Sequence, residues 1–377
     1  MNEKERFRET LLFGKPDKIP LMPGGPREST LKRWHKEGLP EGKDYFDEIS
    51  RILNIPVERP KTPWTDTGVS FRMIPEFEEK VLEHKDGHYI VRDWMGAITE
   101  ISDQYDYTYI RSARDFVTRK WHKFPVENEK DWEQMKLRFD AGSHERFPAD
   151  FIERCNKLKS RDYVLNICFN GPFWQMREWC GFENLCIYMA EKPEFVKEMS
   201  LFWRDFVLDT LTPILKNVQV DHVLISEDMA YKAHSMISPK MTREFLFPCY
   251  QSWIPEIRKN NKNSVIEVDS DGHVGELIPL WIEAGVNCCS PVEVAAGNDI
   301  VGYRKKFGRK MAFRGGIDKR AIAKGGIAIK DELARVVPPL LKEGGFIPSC
   351  DHGVPHDISW QNFIEYTKLL AELTGWL

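Results

Sequence analysis

Two aspartates, Asp269 and Asp271, follow a run of apolar residues that is typical of a buried strand. Residues two positions apart along a strand point to the same side, so both carboxylates can face one pocket. Glu227 and Glu293 follow two other predicted strands. Carboxylates that share an apolar pocket raise one another's pKa, and one of them can then stay protonated at neutral pH as a general acid. We therefore predict that Asp269, Asp271, Glu227 and Glu293 are catalytic.

These carboxylates also have a structural alternative. An acidic side chain just after a strand often caps the helix that follows, and Asp271 before Gly272 suits that role. Glu227 and Asp228 alternate in direction, so only one of them is expected to face inward. The pair at Asp269 and Asp271 is the stronger functional candidate, because its members point the same way.

Further polar and aromatic side chains come after the strand ends, and we predict that they bind the substrate. They are Asn170, Trp174, Met176, Tyr231, Cys350 and His352. Two of them have simple alternatives, since Cys350 can be a small core residue and His352 can bond only to its own loop. The chain has 12 tryptophans and 22 phenylalanines, which can fill a core and also line an aromatic pocket.

The elements that would position these residues alternate regularly from about residue 160. Strands are predicted at residues 163–169, 221–226, 264–268, 286–290, 310–314 and 346–349, with helices between them. This alternation predicts a parallel sheet, because parallel strands need crossover connections. With the earlier strands, a total of about eight favours an α/β fold of the (β/α)8 TIM-barrel type, in which active sites lie at the carboxyl ends of the strands.

The first 160 residues are less regular. Helices are predicted at residues 3–13 and 28–37, a strand at 17–22, and paired strands within 81–102 around the turn Lys85-Asp86-Gly87-His88. We interpret residues 1–160 as helical and β-hairpin additions. Together with the regular βα units of residues 161–377, they would form a single domain over residues 1–377.

Composition excludes several classes of function. The net charge is −4, from 54 basic and 58 acidic residues, without a long basic run, so neither nucleic acid nor an anionic membrane is an expected partner. No apolar run approaches the roughly 18 residues that a membrane span needs. The eight cysteines show no short paired spacing, and the first residues have no apolar signal region. We expect free thiols and a cytoplasmic location.

Several segments resemble one family. They are Arg6-Phe7, Asp17-Lys18-Ile19-Pro20, Asp269-Ser270-Asp271-Gly272, Gly315-Gly316-Ile317-Asp318-Lys319 and the stretch from Gly345 to His352. Over nearly its whole length the chain resembles the uroporphyrinogen-decarboxylase-like superfamily. This group of αβ barrels contains porphyrinogen decarboxylases and corrinoid-dependent methyltransferases, and the segments resemble a methyltransferase-like branch.

The chain departs from two branches of that superfamily. Porphyrinogen decarboxylases carry an arginine-rich segment after the first strand, whereas residues 21–27 contain one arginine. Thiol-methylating relatives hold zinc with H-x-C-G and a distant cysteine. In this chain the first place reads Asp269-Ser270-Asp271-Gly272, and Cys350 lies near the second. Two soft ligands are lost, so no tight zinc–thiolate site is expected, and the metal content stays open.

The branch that the chain then resembles comprises the substrate-side methyltransferases of anaerobic O-demethylation, of the veratrol or vanillate type. The resemblance implies methyl transfer from a phenyl methyl ether to the cobalt of a corrinoid (cobalamin) on a separate corrinoid protein. Asp221, Cys249 and Cys289 have a spacing like one proposed for metal binding in such enzymes. Because Asp221 begins a predicted strand and Cys249 lies in a predicted helix, this spacing indicates kinship more than a metal site.

Three rival functions remain open. One is decarboxylation of a smaller aromatic or pyrrolic acid, against which the acidic pocket argues by charge repulsion. Another is tetrapyrrole or corrinoid binding without catalysis, although no D-x-H-x-x-G segment is present for a cofactor on this chain. The third is methyl transfer from methylamines or thioethers, since cationic donors suit acidic and aromatic walls.

Overall fold

Two sheets organise the described part of the chain, which comprises residues 1–56, 66–112, 115 and 117–377 of a computed structural model. The smaller sheet contains β1 (Lys80–Lys85), β2 (His88–Arg92), β3 (Ile98–Ser102) and β4 (Lys120–Lys123). The larger sheet contains β5 (Asn166–Asn170), β6 (His222–Ser226), β7 (Val265–Asp269), β8 (Cys288–Ser290), β9 (Ala312–Ile317) and β10 (Phe346–Cys350). The larger sheet carries the candidate site.

The six strands of the larger sheet are parallel and lie side by side in the order of the chain. Helices lie between consecutive strands, as a parallel arrangement requires. Burial explains their composition: four of the five residues of β7 are buried, and the strand reads as an apolar run broken by Glu267. The α/β fold class predicted from the sequence is confirmed.

Helices occur before, between and after the strands of both sheets. They are α1 (Glu3–Leu11), α2 (Glu28–Lys36), α3 (Tyr45–Leu53), α4 (Glu129–Lys136), α5 (Phe151–Leu158), α6 (Pro172–Cys180), α7 (Phe182–Glu191), α8 (Pro193–Asn217), α9 (Pro239–Met241), α10 (Phe247–Asn260), α11 (Ile278–Ala284), α12 (Ile300–Phe307), α13 (Lys319–Lys324), α14 (Ile327–Glu343) and α15 (Trp360–Thr374). A π-helical turn, Thr242–Leu246, joins α9 to α10. Short 3-10 turns occur at Tyr109–Arg111, His144–Arg146, Val294–Ala296 and Gly308–Lys310.

Strand register aligns several of the residues that the sequence singled out. Asn170 of β5 is the register partner of Ser226 in β6, and Ser226 is the partner of Asp269 in β7. Asp269 in turn pairs with Ser290 of β8. The carboxyl ends of four strands thus form one row of polar side chains, which we call the polar row.

The strand predicted at residues 17–22 has no strand assignment in the structure. Nearby backbone still follows the sheet edge: the Cys350 amide donates to the Pro23 carbonyl at 3.1 Å, and the Val354 amide donates to the Gly25 carbonyl at 2.9 Å. At the opposite edge, the Phe71 ring lies 5.2 Å from the Phe169 ring. Irregular segments therefore flank the six strands where the prediction expected further regular strands.

The smaller sheet confirms the predicted hairpin. β1 and β2 pair antiparallel with Lys85 opposite His88, so Asp86 and Gly87 form the turn. Asp86 and Gly87 both have positive φ, which suits the tight two-residue connection. The sheet continues through β3 to β4, and the loop after β2 carries Trp94 to the candidate site.

One continuous cluster of buried apolar residues extends from Trp34 to Leu370. It includes six fully buried tryptophans, so much of the aromatic content predicted for the core is found there. In the described residues, every helix is too short or too polar to cross a lipid bilayer. The single-domain organisation over residues 1–377 stays a prediction.

Candidate active site

Two cavities meet at the end of β7. One, of about 610 Å³, has ring walls from Phe71, Trp94, Phe139, Phe169 and Trp174, and we call it the aromatic cavity. The other, of about 680 Å³, extends along the strands of the parallel sheet, and we call it the inner cavity. Asp269 and Asp271 line both cavities, as their two-residue spacing predicted. A ligand in either cavity therefore meets the acid pair.

Asp269 is the carboxylic acid best suited to donate a proton. Burial raises its pKa to about 7, and the negative charges of Glu267 and Asp271 act in the same direction. Its contact with the Ser290 hydroxyl is long, at 3.4 Å from Oδ1, and that hydroxyl donates its hydrogen to Glu267 at 2.5 Å. The group is therefore close to half protonated at neutral pH and open to a ligand.

Asp271 has the opposite character. Burial would raise its pKa, but the hydrogen bond and charge of His352, with help from Lys319 and Arg27, lower it below the ordinary value. Nε2 of His352 lies 3.0 Å from Oδ2 of Asp271, and the guanidinium of Arg27 lies 3.1 Å from Nδ1 of the same ring. The hydrogen bond to Asp271 raises the pKa of His352. Asp271 thus remains ionised at neutral pH, whereas Asp269 titrates near it.

Glu227 is held deep in the wall rather than presented to a ligand. Its side chain is fully buried, and one carboxylate oxygen accepts from the amides of Phe173 at 3.0 Å and Trp174 at 3.2 Å. The Tyr250 hydroxyl donates to the other oxygen. Burial raises the pKa of Glu227 to about 7. Because the amides belong to the first turn of α6, Glu227 positions this helix. It also lines the aromatic cavity, and its predicted catalytic role stays a prediction.

Glu293 is likewise already engaged. It accepts from Nζ of Lys319 at 2.7 Å and from the amide of Gly272 at 3.3 Å. It lines a surface depression together with Asp271 and Tyr231, whose side chain is 53% exposed. Asp269 does not line this depression, so Glu293 and Tyr231 are near Asp271 and not in the two cavities that Asp269 lines.

Three residues predicted to bind the substrate lie in α6 and its preceding strand, and two of them line a cavity. Asn170 and Trp174 line the aromatic cavity. Met176 is instead fully buried in the core. The reason is helical geometry: α6 begins at Pro172, so Trp174 and Glu178 share a face while Met176 points away from it.

Glu178 is a site residue that the sequence reasoning missed. It accepts from the indole of Trp174 at 2.7 Å and from the amides of Asn170 at 3.1 Å and Gln175 at 3.4 Å. Burial raises its pKa to about 7, although the Trp174 hydrogen bond opposes this. The four-residue spacing from Trp174 was the available signal, but it has meaning only once a helix is recognised there.

The thiols also differ from expectation. Cys350 lines the inner cavity but is buried, and burial raises its pKa to about 12. Cys168, which was not singled out, is the cysteine with an exposed side chain on the wall of the aromatic cavity. Burial raises the pKa of Cys168 as well, so neither group is favoured as a thiolate.

Asp221, Cys249 and Cys289 do not converge. Asp221 binds Arg161, whose Nε lies 3.0 Å away, at the amino end of β6. Cys249 lies in α10 against Ser200, with the two side-chain heteroatoms 3.4 Å apart, and Cys289 is buried in β8. No group of three His, Cys, Asp or Glu side chains that could hold a metal occurs among the described residues. The spacing is therefore not that of a metal site in this fold.

The chain is an α/β protein with a parallel sheet. Its acid pair lies at the carboxyl ends of the strands, which is where α/β barrels have their active sites. The family model for uroporphyrinogen decarboxylase (URO-D) matches residues 120–373, and the chain belongs to this family of enzymes. No curated protein matches it.

Solved structures extend the comparison of the fold. A methyltransferase from Methanosarcina mazei is similar over 99% of both chains, with a TM-score of 0.59 and 14% sequence identity. At that identity the likeness shows a common fold. A candidate vitamin-B12 independent methionine synthase from Listeria monocytogenes is similar over 60% of this chain and 67% of its own, with 11% sequence identity and a TM-score of 0.35.

Proposed function

We propose that this protein is a methyltransferase that transfers the methyl group of a phenyl methyl ether, such as a guaiacol-, vanillate- or veratrole-like compound, to the cobalt of a corrinoid carried by a partner protein. The observation that supports this most directly is Asp269. Its carboxyl group has a pKa of about 7 and lines the aromatic cavity. A neutral acid next to a site for an aromatic ring is what cleavage of an aryl ether requires.

The aromatic cavity suits the ring of the donor. Its walls are large apolar rings, and polar groups lie at one side, where Asn170, Gln175 and Glu178 are joined by hydrogen bonds. Flat ligands pack well on such walls, and a few polar groups fix their orientation. A phenol hydroxyl next to the ether would donate to Glu178 or Asp271.

Asp269 would protonate the oxygen of the leaving group as the ether bond breaks. The bond between the methyl carbon and the ether oxygen breaks, and its electron pair stays on the oxygen as the methyl group moves to the acceptor. Asp269 donates its proton to that oxygen, so the product is a neutral phenol and the aspartate recovers a proton from solvent. A corrinoid carried by the partner protein would supply the nucleophile that takes the methyl group, together with the electron pair for the new bond to carbon.

Access for an acceptor on another protein is a second requirement. The Asp271 side chain is 46% exposed, so the acid pair lies near an opening and not at the bottom of a closed chamber. Reacting atoms must come within roughly 3–3.5 Å for transfer. The mouth above Asp269 and Asp271 is where the partner would present its corrinoid.

A decarboxylase that acts on a small aromatic or pyrrolic acid is the second candidate. Membership of the URO-D family favours it. A guanidinium in the inner cavity, that of Arg314, also reduces the charge repulsion that the sequence led us to expect. Such an enzyme would release carbon dioxide without any corrinoid, which separates the two candidates experimentally.

The test is an anaerobic assay with reduced cobalamin and a panel of methoxyphenols and methoxybenzoates, followed by the absorbance of cobalt(I). Loss of the cobalt(I) spectrum with formation of methylcobalamin and free phenol supports the proposal. Conversion only with methylamines or thioethers would replace the donor. Release of carbon dioxide from aromatic acids, with no methyl transfer even when corrinoid proteins are supplied, would favour the decarboxylase.

A further inference from the structure

One arginine of the parallel sheet lines the inner cavity. Arg314 lies in β9, and its side chain is 23% exposed. It lines the inner cavity and also a smaller cavity of about 390 Å³ next to α1. Nη1 donates to Oε2 of Glu267 at 2.9 Å. Within residues 1–56, 66–112, 115 and 117–377, Glu267 is the only acceptor of this guanidinium. Its other N–H groups are therefore available to something in the cavity.

Glu267 holds this guanidinium rigidly. The carboxylate is fully buried and also accepts from Nε2 of His222 at 3.0 Å, from the Ser290 hydroxyl at 2.5 Å and from the Cys288 thiol at 3.5 Å. Four donors from neighbouring strands leave the carboxylate no freedom to swing, so the bond to Arg314 fixes the direction of the guanidinium. A fixed guanidinium loses little conformational entropy when it binds a ligand.

Most carboxylates around the inner cavity have a cationic partner. Glu267 is paired with Arg314, and Asp271 is paired with His352, against which the guanidinium of Arg27 lies. Asp44 also lines the cavity, and its side chain accepts from two amides at the start of α3. Asp269 has a pKa of about 7 and gives up its negative charge when it is protonated. The cavity can therefore accept one negative charge, in contrast to the repulsion expected from its carboxylates alone.

The walls near Arg314 are apolar. Ile347 of β10 is its register partner, and Leu224 of β6 is the partner of Glu267. Leu21 and Met22 also line this cavity. A guanidinium next to apolar side chains suits a ligand with an apolar body and one anionic substituent.

We propose that Arg314 binds the carboxylate of a small aromatic acid in the inner cavity, through the guanidinium N–H groups that Glu267 leaves available. Arginine suits this role because its planar guanidinium can donate two hydrogen bonds to one carboxylate. The inference goes beyond the proposed methyl transfer and does not depend on it, because it concerns binding alone. The acid can be the methyl donor itself or a separate ligand.

The experiment compares benzoate and 4-methoxybenzoate with their uncharged amides, by titration calorimetry without any corrinoid. We expect the acids to bind at least ~10-fold more tightly than the amides, because a charge-assisted hydrogen bond is stronger than one between neutral groups. Arg314→Met should abolish this preference. Arg314→Lys keeps the charge next to Glu267 but loses the planar fork, and should weaken binding of the acids by roughly 10-fold.

Arg243→Met is the matched control, because Arg243 forms an ion pair with Glu283 on the surface and touches neither cavity. It should bind the acids as the wild type does. If Arg314→Met fails to fold, Arg314→Lys and the comparison of acid with amide in the wild type still decide the question. Equal affinity for acid and amide, unchanged affinity in folded Arg314→Lys, or no binding of acids by the folded wild type would each overturn the proposal.

Measurements of turnover then show whether the bound acid is the methyl donor or a separate ligand. If the acid is the methyl donor, Arg314→Lys raises KM for 4-methoxybenzoate and leaves KM for guaiacol unchanged. If the acid is a separate ligand, both KM values stay the same although benzoate binding is weakened. A protein that binds benzoate through Arg314 but transfers no methyl group would contradict the proposed function and leave this inference intact.

Discussion

Asp269 and Asp271, two residues apart at the end of one strand, have pKa values that their surroundings shift in opposite directions. Burial and neighbouring negative charge raise the pKa of Asp269 to about 7, whereas contact with His352 lowers that of Asp271 although this side chain is partly buried. When the pKa values of two neighbouring carboxyl groups differ in this way, one group can donate a proton while the other stays ionised. It makes Asp269 the first position to test.

Asp269→Asn should reduce methyl transfer by roughly 100-fold or more, because the amide keeps the shape of the carboxyl group but has no acidic proton. The measurement is the rate of methylcobalamin formation at saturating donor. Asp205→Asn is the matched control, since Asp205 forms a surface ion pair with Arg204. A rate within a few-fold of wild type for Asp269→Asn would remove Asp269 from the acid role.

The rate should also fall as the pH rises through about 7, because only protonated Asp269 donates. Glu267, Asp271 and Asp228 raise its pKa and Arg314 lowers it, so removal of one negative neighbour shifts the curve. In Asp271→Asn the falling limb of kcat/KM should move to lower pH. A limb that stays in place in this variant would show that another group controls it.

The contact between Asp271 and His352 should contribute to stability only within a window of pH. The pKa of His352 is raised in the fold, so its contribution is present below the ordinary value of 6.5 and disappears as the pH rises through the raised value. The pKa of Asp271 is lowered, so its contribution is present above the ordinary value of 3.8 and disappears as the pH falls through the lowered one.

A double-mutant cycle with Asp271→Asn and His352→Gln measures this contact through the free energy of unfolding in urea. We expect a coupling of about 0.5–1 kcal/mol near pH 6, a modest value because Asp271 is partly exposed and solvent screens the pair. The coupling should shrink towards pH 9. A coupling of equal size at both pH values would contradict the charge-based explanation.

Gly171 should tolerate no side chain, because a Cβ there would lie 2.2 Å from Cδ of the buried Glu227. We expect Gly171→Ala to lower the free energy of unfolding by about 1–3 kcal/mol, the usual cost of overpacking. It should also weaken donor binding, since Glu227 holds the start of α6. Gly25→Ala is the control for stability, as a Cβ there meets no atom within 4 Å. Equal stability of the two variants would contradict this account.

The sequence predicted what depends on local periodicity. Apolar runs located the six parallel strands, and two-residue spacing indicated that Asp269 and Asp271 share a pocket. It misplaced Met176 because residues 172–180 lacked a strong helical pattern and were not recognised as the helix that turns Met176 into the core. Glu267 and Arg314 lie within strands, where their charges are balanced by each other across the sheet. Because Glu267 and Arg314 are far apart in the sequence, no local pattern predicts that they pair.

The polar row has a consequence for how this protein can diversify. Asn170, Ser226, Asp269 and Ser290 are fixed by backbone pairing between strands and not by the loops that follow them. Insertions or substitutions in those loops can therefore reshape the walls around a ligand while the acid stays where it is. A protein of this kind can change its substrate in evolution while it keeps the same acid in the same position.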